Sequence, residues 1–424
     1  MIKLLIIADD FTGALDTGVQ FASEGIKTRV LVYNPCEKLI DDEDNDTDVL
    51  VIDAETRHLS KEKAYKIIYD IVKKSKKEGI KFLYKKTDSA LRGNIGSELT
   101  AMLKASNEES LPFIPAFPKM NRITKNGVHY IDNIPVNESV FGQDPFEPVK
   151  YSSVKEIIKD QSSIETIEIP VSNNVLAKKS KGILIYDAQS EEDLQNIGSQ
   201  ILKDNMCNIM AGCAGFAEVL PRILGLSGNI QSKVKLNEKL LVVCGSVNPI
   251  TKRQLDYGEK YGFKRIHLSP EQKIEEKYWE TEEGLNKLKK IKYSIEDSDC
   301  CILDSNDKYS DNETFKYSNL NGVSVEETRV NISQTMGYLL KKIIDKNVNA
   351  TFLVTGGDTL LGFMKKVGIS ELTPICELTK GCVLTQMEYD EKIYHVISKS
   401  GGFGEESLIK TLIDLLKSKE INVG

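Results

Sequence analysis

The sequence predicts an α/β protein of two domains, each built on a mostly parallel sheet flanked by helices. Short apolar runs rich in β-forming residues alternate with segments of helical periodicity along the chain. Strands that are apolar throughout and separated by helices are typical of parallel sheets covered on both faces. The length of 424 residues exceeds what one hydrophobic core usually holds, which indicates two domains.

The first half of the chain supplies one series of strands and helices. Strands are expected at 2–7, 28–32, 49–52 and 82–85, and helices at 14–23 and 61–77. After Leu111 and as far as Pro148 the sequence is rich in Pro, Asn and Gly, so we expect a long excursion rather than a core layer. The alternation returns with strands at 182–187 and 208–212, and with helices at 191–202 and from residue 216.

A second series of the same kind follows a linker expected at 225–235. Its strands are expected at 239–244, 300–304, 351–355 and 393–399, with a helix near 325–345. We therefore expect an N-terminal domain over 1–228 and a C-terminal domain over 237–424. Because ligands of open α/β sheets bind beyond the carboxyl ends of the strands, we expect the active site in the cleft between the two domains.

The composition disfavours several classes of function. A net charge of −7 argues against nucleic acid or an anionic membrane as a partner, since both require a positive surface. Neither a signal peptide nor an apolar run long enough for a membrane helix is recognisable. The 8 cysteines and 4 histidines are scattered, so we expect a cytoplasmic chain with reduced thiols and no metal cage. We expect His129, in the excursion, to be a surface residue.

Two adjacent carboxylates follow the first predicted strand. Asp9 and Asp10 lie at its carboxyl end, beside the start of the first helix, where anions are attracted. A plain helix cap formed by Asp10 or Thr12 is an equally good interpretation of this motif alone. An aspartate nucleophile of the phosphatase type is disfavoured, because such sites separate their two aspartates by one residue.

The strand at 82–85 runs into a segment in which three cations surround a carboxylate. This segment reads KKTDSALRGN over residues 85–94. Arginine can bind a carboxylate through two parallel hydrogen bonds, while amides and carboxylates bind hydroxyl groups. Arg57 follows a third strand end and is expected to join the cluster. The pattern therefore favours a carboxylate-binding pocket, and a solvated charged loop is the alternative.

Three loops of the second half are rich in glycine and hydroxyl groups. They are CGSVNP at 244–249, TGGDT at 355–359 and SKSGGFG at 398–404, each at the end of an expected strand. Exposed backbone N–H groups in such loops, beside a helix start, bind phosphate oxygens. No loop matches a Walker or GxGxxG fingerprint, so each alone is weak evidence. Three of them on one sheet edge predict a nucleotide site.

These motifs resemble those of the four-carbon acid sugar kinases, a family of threonate, erythronate and 3-oxo-tetronate kinases, and they occur in the same order along the chain. The resemblance spans nearly the whole chain, through ADDFTGA at 8–14, KKTDSALRGN at 85–94, PAFP at 115–118 with Arg122, Gly245-Ser246, TGGDT and KSGGFG. Two positions depart from the family pattern. Asn121 stands where the family usually has glycine, and Lys380 stands where it usually has proline.

The resemblance implies an ATP-dependent kinase that phosphorylates a hydroxyl group of a four-carbon sugar acid, with ATP and Mg²⁺ as cofactors. The N-terminal domain would bind the sugar acid through Asp9, Asp10, Arg57, Lys86, Asp88, Arg92 and Asn94. The C-terminal domain would bind ATP through Ser246, Gly356, Gly357, Asp358, Thr359, Gly401 and Gly402. We expect Asp10 to accept the hydroxyl proton, with Asp9 and Asp88 as alternatives, and Asp358 to reach Mg²⁺ through water.

Two rival functions belong to other classes. A non-catalytic sensor of a sugar acid or nucleotide is disfavoured, because a carboxylate binder gains nothing from two negative groups beside its ligand. A nicotinamide-linked dehydrogenase would need a GxGxxG turn after a strand, and none is present. The sequence leaves open the stereochemistry of the acid, the hydroxyl that is phosphorylated, and whether the chain forms a homodimer.

Overall fold

The structure is a computed structural model that describes residues 2–40, 46–144, 148–171, 180–230, 233–308, 312–418 and 421–422. The chain forms two compact units, Met1–Ile230 and Gln231–Gly424. Each unit contains a mostly parallel sheet with helices, so the predicted fold class is confirmed. None of the helices within these described ranges is long and apolar enough to cross a membrane.

The first unit is organised around eight parallel strands. The strands of the unit are β1 Leu4–Ala8, β2 Thr28–Val32, β3 Val49–Asp53, β4 Phe82–Lys86, β5 Ser110–Ile114, β6 Arg122–Lys125, β7 Val128–Ile131, β8 Ile134–Pro135, β9 Thr166–Ile169, β10 Gly182–Tyr186 and β11 Ile209–Gly212. The main sheet has the order β2-β3-β1-β4-β11-β5-β10-β9, and every pairing in it is parallel. Strands β1 and β3 are buried along their whole length, as their uninterrupted apolar sequences predict.

Helices cover this sheet. They are α1 Phe11–Ala22, α2 Lys61–Lys77, α3 Ile95–Ser106, α4 Val154–Lys159, α5 Glu191–Lys203, α6 Ala214–Ala217 and α7 Leu220–Leu224. The bounds of β2 and α2 are those predicted. The excursion begins later than predicted, because β5 is a core strand, and its strands β6, β7 and β8 form a small antiparallel sheet.

The second unit contains a mixed sheet. The strands of this sheet are β13 Leu240–Cys244, β14 Lys264–His267, β15 Cys300–Asp304, β16 Thr351–Thr355, β17 Glu371–Thr379, β18 Cys382–Tyr389 and β19 Lys392–Lys399, while β12 Lys233–Val234 and β20 Ile421–Asn422 pair in a separate antiparallel sheet. Strands β14-β15-β13-β16-β19 are parallel, and β18 and β17 extend the sheet in antiparallel fashion. Part of the predicted linker, residues 231–232, lies outside the described residues.

The helices of the second unit are α8 Pro249–Tyr261, α9 Pro270–Ile274, α10 Glu282–Glu296, α11 Glu313–Leu320, α12 Val325–Ile344, α13 Gly357–Val367 and α14 Leu408–Lys417. From β13 the chain proceeds to one side of the sheet, towards β15 and β14, and from β16 it proceeds to the other side, towards β19. Such a reversal of strand order is where open α/β sheets bind ligands. Two of the three predicted glycine loops leave the sheet at this point.

Candidate functional site

Strand register brings the polar loops of the first unit to one level. Ala8, the last residue of β1, lies opposite Asp53 of β3 on one side and Lys86 of β4 on the other. The segments that follow these three strands therefore leave the sheet together. They carry the carboxylates and cations that the sequence marks as a site.

Arg57 lies at the centre of a cluster of carboxylates. Its Nε atom donates to Asp9 Oδ2 at 2.7 Å, and its Nη1 and Nη2 atoms lie 2.8 and 2.7 Å from the two oxygens of Asp10. Asp88 Oδ1 is 3.8 Å from Nη2. Burial opposes ionisation of Asp9, but the positive charges of Arg57, Lys85 and Lys86 outweigh it and lower the pKa of Asp9. Asp9 is therefore ionised, and hydrogen bonds to Arg57 fix the positions of Asp9 and Asp10.

Arg92 is expected to line the substrate site, but in the structure it pairs with Asp88. Its Nε and Nη2 atoms donate to the two oxygens of Asp88 at 2.9 and 3.0 Å, which is a bidentate ion pair. Burial raises the pKa of Asp88, but Arg92 and Arg57 outweigh it and hold that pKa well below its ordinary value. The guanidinium edge expected to bind a substrate carboxylate is thus occupied by Asp88. Nη1 faces Asp144, whose Oδ2 is 3.7 Å away.

The ammonium group of Lys86 is not paired with any carboxylate among the described residues. Its side chain is buried, and within the described part of the chain it makes no hydrogen bond or ion pair. A methyl group added to Gly13 would lie 2.7 Å from Lys86 Nζ and 2.5 Å from Asp10 Oδ1, so the ammonium group sits beside the start of α1. The neighbouring Lys85 is used structurally, since its Nζ forms a buried ion pair with Glu98 at 2.9 Å.

Asn94 supports the site by holding the loop that carries Arg57. Its Nδ2 atom donates to the carbonyl groups of Thr56 and Leu59, both at 2.9 Å, and thereby fixes the loop that carries Arg57. Both N–H bonds of the amide are used in this way. Only its oxygen remains to meet a ligand.

Exposure distinguishes the three candidate bases. The Asp10 side chain is 24% exposed, whereas the side chains of Asp9 and Asp88 are 3% and 9% exposed. Asp10 also caps α1, because its Oδ1 accepts from the N–H of Gly13 at 3.0 Å. The cap interpretation of this motif is correct, and the Asp10 side chain remains partly exposed although both of its oxygens contact Arg57.

The excursion contributes contacts that the sequence interpretation missed. Arg122 donates to the hydroxyl of Ser89, and the guanidinium carbons of Arg92 and Arg122 lie 5.2 and 5.3 Å from the ring centre of Phe141. The small antiparallel sheet is therefore attached to the segment that carries Asp88. No local signal in the sequence indicates such a contact, because it joins positions far apart in the chain.

The expectation that His129 is a surface residue is wrong. It is completely buried, and its Nε2 lies 2.9 Å from the carbonyl oxygen of Ser89 while its Nδ1 lies 3.0 Å from Thr124 Oγ1. A carbonyl only accepts, so Nε2 carries the proton, and Nδ1 of the neutral ring accepts from the threonine hydroxyl. Burial lowers the pKa of His129 to about 4, which keeps the ring neutral.

Because His129 is buried in its neutral form, we expect the free energy of unfolding to depend on pH. Between pH 6.5 and pH 4 the unfolded chain binds a proton at His129 that the folded chain does not bind, so the free energy of unfolding falls as the pH falls. We expect about 2 kcal/mol of this loss between pH 7 and pH 5. His129→Gln keeps an N–H donor for Ser89 but does not titrate, and its urea midpoint should fall less. Equal shifts in both proteins would contradict the assignment.

The second unit brings its three glycine loops together. A methyl group on Gly245 would lie 1.9 Å from Thr359 Oγ1, and one on Gly356 would lie 3.7 Å from the amide nitrogen of Ser246. One on Gly401 would lie 3.1 Å from Ser246 Oγ. The loops after β13, β16 and β19 therefore converge on one surface, as the sequence predicts.

Six backbone N–H groups in these loops have no acceptor among the described residues. In the described part of the second unit, no hydrogen bond is donated by the amides of Ser246, Gly357, Asp358, Thr359, Gly401 or Gly402. Three of these amides belong to the first turn of α13, where the helix dipole adds a partial positive charge. Unpaired N–H groups at a helix start are the donors that phosphate oxygens require.

Asp358 is accessible to a metal held by phosphates. Its side chain is 58% exposed, and its Oδ2 lies 3.8 Å from Nη2 of Arg329. The described residues contain no group of three or more His, Cys, Asp or Glu side chains that could hold an ion. Mg²⁺ usually takes one or two carboxylates together with substrate phosphates and water. This donor set fits such an ion and not a cage built by protein alone.

Comparison with known proteins covers both units. Residues 4–220 match the family model of a sugar-binding N-terminal domain, and residues 241–409 match that of a nucleotide-binding C-terminal domain. A D-threonate kinase of Salmonella typhimurium LT2 is 28% identical over 98% of this chain and 97% of its own length. A D-erythronate kinase of Heliobacterium modesticaldum is 32% identical over 60% of each chain.

A solved structure shares the fold. It is a Salmonella typhimurium LT2 protein with the provisional name of tRNA synthase, 20% identical, with a TM-score of 0.78 over 97% of this chain and 99% of its own. At that identity the likeness concerns the fold alone. The whole-chain match to family models is the stronger finding.

Proposed function

This chain belongs to the four-carbon acid sugar kinase family, and we propose on that premise that it transfers the γ-phosphoryl group of ATP to a hydroxyl group of threonate, erythronate or 3-oxo-tetronate. The observation that carries the proposal is the set of unpaired N–H groups in the second unit, which the phosphates of ATP would satisfy. Use of ATP favours a cytoplasmic location.

We assign the two substrates to different parts of the chain. Residues 1–228 would bind the sugar acid, since they contain the cluster around Arg57 and the match to a sugar-binding domain. Residues 237–424 would bind ATP through the three glycine loops. The assignment gives each polar cluster a ligand of complementary chemistry.

Lys86 is the cation best placed to bind the substrate carboxylate. Arg57 and the Nε–Nη2 edge of Arg92 are engaged by aspartates, whereas the Lys86 side chain makes no hydrogen bond or ion pair among the described residues. Asp10 and Asp88 would then accept hydrogen bonds from substrate hydroxyls, together with the free oxygen of Asn94. This arrangement distinguishes a hydroxy acid from a neutral sugar.

Asp10 would accept the proton of the attacking hydroxyl. Its side chain is partly exposed, and Arg57 holds it in a fixed orientation. Phosphoryl transfer depends mainly on positioning and charge neutralisation, so the N–H groups of the glycine loops would contribute much of the acceleration. Mg²⁺, held by Asp358 through water and by the phosphates, would supply further neutralisation of phosphate charge.

A substrate panel tests the proposed function. Purified protein is incubated with ATP, Mg²⁺ and each stereoisomer of threonate, erythronate and 3-oxo-tetronate, and ADP and the phosphorylated acid are quantified. We expect one ADP per phosphorylated acid with at least one of these substrates. Binding of acid and ATP without turnover would instead favour a sensor and overturn the proposal.

Replacement of Lys86 by methionine tests the carboxylate assignment. An ionic hydrogen bond is worth about 1.5–3 kcal/mol, so we expect KM for the sugar acid to rise by about tenfold to a hundredfold. KM for ATP should change less than about twofold. Lys104→Met, which removes an exposed lysine of α3 in the same unit, is the control and should leave both constants unchanged. A similar rise in both KM values for Lys86→Met would remove Lys86 from the carboxylate site.

A further inference from the structure

The third glycine loop is held through its carbonyl groups. Thr251 Oγ1, on α8, donates to the carbonyl of Gly401 at 3.0 Å, and Lys399 Nζ donates to that of Ser400 at 2.9 Å. Lys399 Nζ also lies 3.2 Å from Thr251 Oγ1, so the ammonium donates to the hydroxyl, which in turn donates to the loop. The two side chains form one hydrogen-bonded chain under the loop.

Gln254, one turn further along α8, continues this series of contacts. Its Nε2 atom lies 3.0, 2.9 and 3.0 Å from the carbonyl oxygens of Phe403, Gly404 and Glu405. Only the nitrogen of an amide can donate, so three surrounding carbonyls fix its orientation. Its Oε1 is buried and has no partner among the described residues. The side chain therefore keeps its donor on the loop although its acceptor is unsatisfied.

The side chains of Thr251, Gln254 and Lys399 are buried, so they do not serve to interact with solvent. Thr251, Gln254 and Lys399 are 1%, 1% and 2% exposed, and polar groups are buried at a cost unless they are hydrogen-bonded. Apolar side chains could fill the same space in the core. What the polar groups add is a defined orientation of the peptide groups between residues 400 and 405.

The direction of each fixed carbonyl group also determines the direction of the N–H group in the same peptide. In a trans peptide, the N–H bond points away from the preceding C=O bond. The carbonyl of Ser400 points to Lys399, so the N–H of Gly401 points the opposite way. The carbonyl of Gly401 points to Thr251, so the N–H of Gly402 also points away from α8. These are two of the N–H groups that have no acceptor in the described part of the chain.

We propose that Thr251, Gln254 and Lys399 are positioning residues for phosphate binding: they engage the carbonyl groups of the third glycine loop and thereby direct only its N–H groups to the phosphates of the nucleotide. The proposal rests on the proposed function of the second unit. Without these donors a loop of this composition could turn carbonyl oxygens to the ligand, and these repel phosphate. The three residues touch neither substrate.

A matched pair at Thr251 provides the test. Thr251→Val preserves shape but removes the hydroxyl, whereas Thr251→Ser retains the hydroxyl. We measure dissociation constants for ADP and for adenosine by calorimetry on the full chain. We expect Thr251→Val to weaken ADP binding by at least about tenfold and adenosine binding by less than about twofold, since only ADP contacts the loop. Thr251→Ser should bind ADP within about threefold of the wild type.

Gln254→Met gives an independent measurement at the other end of the loop. It should weaken binding of ADP and leave adenosine affinity and KM for the sugar acid unchanged. If this variant fails to fold, the Thr251 pair decides. Native ADP affinity in Thr251→Val, or an equal loss of ADP and adenosine affinity, would show a merely structural role and overturn the inference.

The wild-type protein separates this inference from the proposed function. If the wild type binds no ADP and consumes no ATP with any tetronate, the proposed function fails. If the wild type binds ADP and Thr251→Val binds it equally well, the proposed function stands and the positioning role fails.

Discussion

Replacing Asp10 by asparagine should reduce kcat by at least about a hundredfold, the usual scale for loss of a general base. The substitution preserves size, and the amide oxygen can still accept from Gly13, so the cap of α1 is retained. Arg57 keeps its contact with Asp9, which limits the effect on folding. The change removes the proton acceptor and also one acceptor of Arg57, because an amide nitrogen cannot accept from Nη1, so we expect some loss of stability beside the loss of kcat.

The neighbouring aspartates are poorer candidates for this role. Asp9 and Asp88 are buried, so they have little access to substrate. Their removal should lower stability, because it would leave buried arginine charges unpaired. Asp10 differs because part of its side chain is exposed.

We expect the affinity for ATP to be nearly unchanged in Asp10→Asn. Steady-state kinetics, calorimetry with ATP and thermal unfolding measure the effects on kcat, ATP affinity and stability separately. Asp70→Asn, which changes an exposed carboxylate on α2, is the matched control and should behave as the wild type. Turnover within about tenfold of the wild type in Asp10→Asn would exclude Asp10 as the base. A loss of ATP affinity as large as the loss of kcat would place the residue in nucleotide binding instead.

The positions of the polar loops could be predicted because the ends of buried strands can be recognised in a sequence. Uninterrupted apolar runs mark buried parallel strands, and the residues after them lie at the ligand-binding edge. Strand ends predict that Asp9, Asp10 and Asp88 lie at this edge, and the family resemblance implies that they share one site. Register then explains why they meet, since Ala8 lies level with both Asp53 and Lys86.

Charge pairing could not be predicted in the same way. The sequence shows cations and carboxylates near each other but not which pairs form, so the interpretation that Arg92 faces a substrate overlooks its pairing with Asp88.

Helix α3 is absent from the helices predicted from the sequence. It is buried on nearly all sides, so it lacks the apolar stripe that identifies a surface helix. Its Glu98 is buried only because it pairs with Lys85.

Glycine conformations also required the structure. The pattern TGGDT predicts a helix that starts near Thr359, whereas α13 starts at Gly357. The same pattern predicts a positive φ at Gly357, but in the structure the positive φ, 97°, belongs to Gly356. This residue is the N-cap of α13, so its backbone sets the direction in which the first helical amides point.

Gly356→Val should abolish measurable nucleotide binding and leave sugar-acid binding unchanged. A branched residue at this positive φ is strongly disfavoured, so the backbone would rotate and turn the amides of the first helical turn away from the phosphates. Its side chain would also enter the space beside Thr359 and the N–H of Ser246, where a methyl carbon would lie 3.6 and 3.7 Å away. Both effects act at the predicted phosphate surface.

Gly368→Val separates this local effect from general strain in the helix. Gly368 ends α13 with a φ of 75°, and no atom lies within 4 Å of a methyl group placed there among the described residues. Both variants strain the same helix, but only Gly356→Val alters its phosphate end, so Gly368→Val should bind ATP normally despite a lower melting temperature. Calorimetry with ATP and with the sugar acid on both folded variants measures the difference. Near-native ATP affinity in Gly356→Val would remove the second glycine loop from the nucleotide site, and loss of ATP binding in both variants would attribute the effect to the helix as a whole.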